Sequence, residues 1–206
     1  MKEIERKILI TCRQYESICF QLKDLYPSSF LEQTNYYYDS TSYMLFKQNE
    51  TLRVREQKGK LEAQYKFNKR YVNYERNCDE VSWSVVSLPS TLSAALLGKY
   101  NEKYEKSKEI FSILGTLTTE RKNFYINNLI FSLDKNFYLG YIDCELEIEG
   151  VTEENISFVN AICAELGLEN IKPSNKKGKY TRFLSRYFDI QDHYKLQFPL
   201  RPKEKL

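Results

Sequence analysis

From Lys2 to Thr11 the chain alternates, with Glu3, Glu5 and Lys7 on one parity and Ile4, Ile8 and Ile10 on the other. That period predicts a strand with one charged face and one apolar face. Residues 13–26 place Tyr15, Ile18, Cys19, Leu22, Leu25 and Tyr26 at helical spacing up to Pro27, which predicts a helix. Residues 32–40 read as a strand running into a short turn or helix at 41–47. Period two returns in a hairpin: Leu52 and Val54 alternate with Arg53 and Arg55, a turn falls at Lys58-Gly59-Lys60, and Ala63, Tyr65 and Phe67 then oppose Gln64, Lys66 and Asn68. A further strand spans about 73–86, with Val81, Trp83 and Val85 on one face. Two helices are predicted near 89–98 and 101–110, then strands through 112–138 and 141–149. Thr152 caps a helix that Gly167 closes, with Ile156, Val159, Ile162, Cys163 and Leu166 as its stripe, and a last helix covers about 179–187 before an irregular tail. About eight strands with few helices predict an α+β fold built on an antiparallel sheet, closed or strongly curled. With no interdomain linker in view, residues 1–206 read as one domain.

Composition narrows the chemistry. The five Cys (Cys12, Cys19, Cys78, Cys144, Cys163) contain no CxxC pair and the one His is His193, which speaks against a disulfide framework, a Cys/His zinc site and a His-based triad. The cysteines read as core fillers and His193 as a surface residue. With 31 basic and 28 acidic residues the chain is close to balance, so it is not expected to bind nucleic acid generally, and any anion site must come from local clustering. No apolar run is long enough to span a bilayer and the start is not that of a signal peptide, so no membrane partner and a cytoplasmic location are expected.

The charges then prove segregated by strand. Arg53 and Arg55 share one face of their strand, and Glu145, Glu147 and Glu149 share one face of theirs. Lys66, Arg76, Glu80, Arg121 and Asp134 add single charges to strands between. A solvated sheet face mixes its signs, whereas like charges on one face repel unless something lies between them. Oxygen-only donors suit Mg²⁺ or Mn²⁺, and guanidinium forks and ammonium groups suit phosphate. Charged faces turned inward, with apolar faces packed outward on helices, account for both signs. Arg6 falls on the outward parity and is left out of the site.

The ordered set, an ExExK strand, an RxR strand, a Lys strand, an Arg, an Asp, an ExE strand and a late Lys, resembles the CYTH domain of the triphosphate tunnel metalloenzymes. That family contains inorganic triphosphatases, thiamine triphosphatases and class IV adenylyl cyclases. The resemblance runs from Glu3 to about Tyr194 and implies a closed eight-stranded antiparallel barrel, or tunnel, with flanking helices. It implies a metal-dependent triphosphatase acting on a small-molecule triphosphate with Mg²⁺ or Mn²⁺, a class IV cyclase being the alternative and a non-catalytic polyphosphate binder the second. By position Glu3, Glu5, Asp134, Glu145 and Glu147 match metal-binding positions, with Glu149 an alternative register of the acidic strand. Lys7, Arg53, Arg55, Lys66 and Arg121 match phosphate contacts, and Arg76 and Glu80 match only loosely. Lys179 is chosen as the C-terminal Lys over Lys176 and Lys177, and with Lys7 and Lys66 it is the candidate for catalysis. Oligomeric state is left open, a homodimer included.

Overall fold

A large antiparallel sheet carries most of the chain. The computed structural model describes residues 2–72, 75–169 and 178–197, and within them the side chains other than those of 2–5, 70–72, 75–77 and 194–197. In chain order the elements are β1 (Lys2–Ile10), α1 (Cys12–Leu22), β2 (Ser28–Asp39), α2 (Met44–Lys47), β3 (Thr51–Gln57), β4 (Lys60–Val72), β5 (Glu75–Val85) and β6 (Thr91–Ser93). Two 3-10 helices follow, Ala94–Lys99 and Glu102–Tyr104, then β7 (Ile110–Ile126), β8 (Leu129–Tyr138), β9 (Tyr141–Glu149), α3 (Ile156–Glu165) and α4 (Lys179–Gln197). The strand order is β2-β3-β4-β5-β1-β9-β8-β7-β6, and β2 pairs in addition with β7 from Ser28 to Asp39. All pairings are antiparallel. No helix among the described residues is long and apolar enough to cross a membrane.

Local sequence explains the joints. Thr11 and Gln14 form a capping box that starts α1 directly after β1. Lys58 (φ 51°) and Gly59 (φ 72°) make the two-residue β3–β4 loop, whose positive φ values match the twist of a hairpin. Expectation and structure part in several places. The helix expected over 13–26 ends at Leu22, with Leu25 exposed, and the strand expected from 32 begins at Ser28. The stretch predicted as two helices near 89–98 and 101–110 holds the short strand β6 and the two 3-10 helices, which pack too tightly for α-helices: a Cβ on Gly98 would lie 2.6 Å from the Glu105 Cα. β6 makes the sheet nine-stranded where eight strands were expected. The helix expected to start at Thr152 starts after Asn155, whose Oδ1 accepts the Thr152 backbone N–H, so residues 153–155 form a turn. The last helix runs on to Gln197, carrying an exposed His193, because its packed residues recur at helical spacing from Tyr180 through Phe183 and Leu184 to Tyr187 and Phe188.

The apolar core lies outside the sheet. Ile8, Ile10, Phe131, Leu133, Leu146 and Ile148 pack under α1 and α3 on Ile18, Leu22, Val159 and Ile162. Leu52, Val54, Ala63 and Tyr65 pack under the 3-10 helices on Leu97, Tyr104 and Phe111. Each fully buried side chain of this size contributes roughly 1.5–3 kcal/mol, and this outer layer offsets the cost of turning charges inward. A third cluster sits on the charged parity at one end of the sheet: Tyr37, Leu117 and Tyr138 take up Tyr180, Phe183 and Leu184 of α4. Phe183 presses on bare backbone there, since a Cβ at Gly115 would lie 2.8 Å from its ring.

Candidate functional site

Register puts opposite charges side by side. Lys7 of β1 pairs with Glu147 of β9, Asp134 of β8 pairs with Glu145 of β9, and Arg121 of β7 pairs with Asp134. The side chains follow the backbone: Lys7 Nζ donates to Glu147 Oε1 at 2.5 Å, and the Arg121 guanidinium forks onto Asp134 at 2.6 Å to each oxygen and reaches Glu147 Oε2 at 2.5 Å. Such charge-assisted, bidentate contacts are the strong class of hydrogen bond. From the first turn of α4, Lys179 Nζ enters the same group, 2.6 Å from Asp134 Oδ2 and 2.8 Å from Glu147 Oε1, and in contact with Glu145. One turn on, Arg182 binds Asp143 at 2.7 Å and Glu145 Oε2 at 3.0 Å. Burial alone would raise the Glu147 pKa, but Lys179, Lys7 and Arg121 outweigh it and hold the carboxyl well below its usual range. For Lys179 burial works against the charge, yet Asp134, Glu145 and Glu147 push its pKa up. Glu147, Arg121 and Lys179 are therefore held in their charged forms.

The opposite wall is basic. Arg53 Nε donates to Gln64 Oε1 at 2.8 Å and Arg55 Nε to Asn35 Oδ1 at 3.0 Å, each across a register pair. Lys66 pairs with Glu80 at 3.0 Å and Lys69 Nζ donates to Thr51 Oγ1 at 2.6 Å. Among the described residues neither Arg53 nor Arg55 has a carboxylate partner. Burial first, then the neighbouring Arg53 and Arg121, depress the Arg55 pKa to about 9. A cation in that position is short of negative charge. Between the walls lies a cavity of about 270 Å³, which Arg53, Arg55, Lys66, Lys69, Arg121 and Lys179 line with Glu147 and Glu149.

Asp134, Glu145 and Glu147 are buried, and each offers an oxygen within 4.8 Å of the others. Lys179 Nζ touches all three, so the place has the room and the charge for one cation. An all-carboxylate donor set of this kind fits a hard divalent ion such as Mg²⁺ or Mn²⁺ in exchange for the ammonium group. Glu149 is half-exposed at the rim, 3.8 Å from Arg121 Nη1, which puts the Glu145 and Glu147 register inside the cluster. Lys7, Arg53, Arg55, Lys66, Glu80, Arg121, Asp134, Glu145, Glu147, Glu149 and Lys179 thus gather around one cavity and its acidic floor. The side chains of Glu3, Glu5 and Arg76, and all of Lys176 and Lys177, lie outside the described residues. On the backbone Glu5 pairs with Glu149 on one side and Arg76 on the other.

Sequence reading missed several members of the site. Gln64 lies on the parity of Lys66 and could have been found by extending that face. Arg182 follows Lys179 at i+3 on a helix, a spacing that puts both on one face. Asp39 had no such signal: it accepts from the Ser40, Leu45 and Phe46 backbone N–H groups and from Tyr180 Oη at 2.7 Å, tying α2 to the residue beside Lys179.

The sequence profile of the CYTH domain matches residues 1–180. No curated protein sequence matches the chain significantly. Among solved structures, a candidate adenylyl cyclase of Hippeastrum with a dominant triphosphatase activity superposes with a TM-score of 0.72 at 20% identity, covering 89% of this chain and 95% of that one. A candidate adenylate cyclase of Bacillus halodurans gives 0.64 at 24% identity over 88% and 98%, and the PH1012 protein of Pyrococcus horikoshii 0.56 at 21% over 88% and 98%. At these identities the structural likeness speaks for the fold, and the profile match speaks for the lineage. The chain belongs to the CYTH domain family.

Proposed function

We propose that this protein is a divalent-metal-dependent triphosphatase that hydrolyses inorganic tripolyphosphate or an organic triphosphate inside a closed eight-stranded tunnel. The β2–β7 pairing, which joins the first and last long strands of the sheet order, supports the tunnel. The observation that carries the function is the pair Arg53 and Arg55, two guanidinium groups in a cavity without a carboxylate partner among the described residues, facing an acidic cluster across it. A chain of phosphates supplies the missing negative charge along the basic wall.

Asp134, Glu145 and Glu147 would hold Mg²⁺ or Mn²⁺, joined by Glu3 and Glu5 from β1, and the ion would supply charge neutralisation and an activated water. Arg53, Arg55 and Lys66 bind the non-reacting phosphates, and Lys7 and Arg121 bridge the two walls at the reacting one. Lys179, displaced from these carboxylates by the ion, would contribute its positive charge at the reacting phosphate. Positioning and electrostatics of this kind supply most of the catalysis in phosphoryl transfer.

The test incubates the protein with tripolyphosphate, thiamine triphosphate and ATP, each with Mg²⁺ or Mn²⁺, and follows orthophosphate, diphosphate and cyclic AMP. Metal-dependent release of orthophosphate is the expected result. Cyclic AMP with diphosphate as the main products from ATP would replace the hydrolase by a cyclase, and tight tripolyphosphate binding without turnover would replace it by a binding module. Glu5→Gln is expected to abolish turnover with the fold intact, and activity within a few-fold of wild type would remove β1 from the metal site.

A further inference from the structure

Two cysteines that play no part in this chemistry meet on the outer face of the sheet. Cys12 opens α1 and Cys144 sits on β9, 132 positions apart, yet their Sγ atoms lie 3.1 Å apart, about 1 Å more than a disulfide bond. The approach is built by the fold: Ile10, the end of β1, is the register partner of Cys144, and the Thr11 cap turns the chain so that Cys12 lies over it. Cys12 is partly exposed and Cys144 buried. A cavity of about 470 Å³ lined by Cys144, Tyr141, Arg182 and Arg186 opens beside them. Two cations, Arg182 and Arg186, and two carboxylates, Asp143 and Asp189, line it.

We propose that Cys12 and Cys144 form a reversible disulfide through exchange with a low-molecular-weight disulfide of the glutathione type. Cys12 is the entry point, because it is the more exposed member of the pair. The Cys12 thiolate attacks one sulfur of glutathione disulfide, forming a mixed disulfide and releasing one glutathione thiolate. The Cys144 sulfur then attacks Cys12 Sγ, the mixed disulfide breaks, and a second glutathione thiolate leaves. The two protons lost by the cysteines end on the two glutathione molecules, so two protein thiols are oxidised and one glutathione disulfide is reduced. The bond would stitch the start of α1 to β9 at the residue next to Glu145, on the face away from the cavity.

The full chain is incubated with glutathione disulfide, quenched with an alkylating agent and mapped by mass spectrometry. Expected are the loss of two hydrogens, alkylation of three of the five cysteines, a Cys12–Cys144 linked peptide, and full reversal by dithiothreitol. Cys144→Ser is expected to retain glutathione on Cys12, while Cys12→Ser, a change at a partly exposed site, leaves all four remaining thiols open to alkylation. Five alkylated cysteines after oxidation, a lasting glutathione adduct on wild-type Cys12, or a linkage through Cys19, Cys78 or Cys163 would each overturn the assignment.

Discussion

Replacing Arg55 by Gln removes one of three guanidinium groups, with Arg53 and Arg121, that line the cavity. A guanidinium keeps its proton in a protein, so an Arg55 pKa depressed from 12.5 to about 9 reflects the stress that burial, Arg53 and Arg121 place on the charge. At about 1.4 kcal/mol per pKa unit the stress is on the order of 5 kcal/mol, a ceiling because water and counter-ions in the cavity relieve part of it. Against this stands the bond from Nε to Asn35 at 3.0 Å, worth about 1 kcal/mol and partly replaced by the Gln amide. The ligand-free variant is therefore expected to be more stable by about 1–3 kcal/mol, a rise in Tm of roughly 3–10 °C for a chain of this size. Binding should move the other way. Loss of one charge-assisted phosphate contact costs about 2–5 kcal/mol, so tripolyphosphate should bind at least about 30-fold more weakly. Thermal melts with and without tripolyphosphate, in chelator, give the first quantity, and calorimetric titration gives the second. A variant that melts several degrees below wild type without ligand and binds tripolyphosphate with an unchanged Kd would refute the like-charge reasoning.

Three other perturbations probe different parts of the molecule. Glu147→Gln leaves Lys7, Arg121 and Lys179 around a neutral amide and should cost about 3–5 kcal/mol in chemical denaturation, with metal-dependent phosphate release lost as well. Asp39→Ala strands three backbone N–H groups and the Tyr180 hydroxyl, a cost of about 2–4 kcal/mol seen as a lower denaturation midpoint at unchanged m value. Tyr38 is fully buried, and burial followed by Tyr36 raises its pKa from 10.0 to about 12. The unfolded chain then loses this proton first, so the Tyr38 contribution is full below pH 10 and falls by roughly 3 kcal/mol as pH rises to 12; in chemical denaturation the wild type should lose more stability over that range than Tyr38→Phe, which has no proton to lose there, and parallel pH profiles would contradict it.

Both charged walls were visible in the sequence, because a strand's period of two assigns each side chain to a face without knowledge of its neighbours. Arg53 with Arg55, and Glu145 with Glu147, had to share faces whatever the sheet order was. The hairpin at Lys58-Gly59 and the last helix's start at Lys179 were legible for the same reason, as local periods and turn residues. Where local pattern was weak and packing decided, the reading failed, as with the 3-10 helices set by the close backbone contact at Gly98.

What the sequence by itself determined was which side chains lie together along a strand and that their signs are segregated. Tertiary structure alone decided who faces whom: that Lys7 meets Glu147, that Arg121 forks onto Asp134, that Asp39 holds Tyr180, and that Cys12 touches Cys144. These contacts join residues far apart in the chain, and their register follows from nine strands pairing at once while the outer apolar layer packs. A local period fixes a face, but only the whole sheet fixes the partner across it.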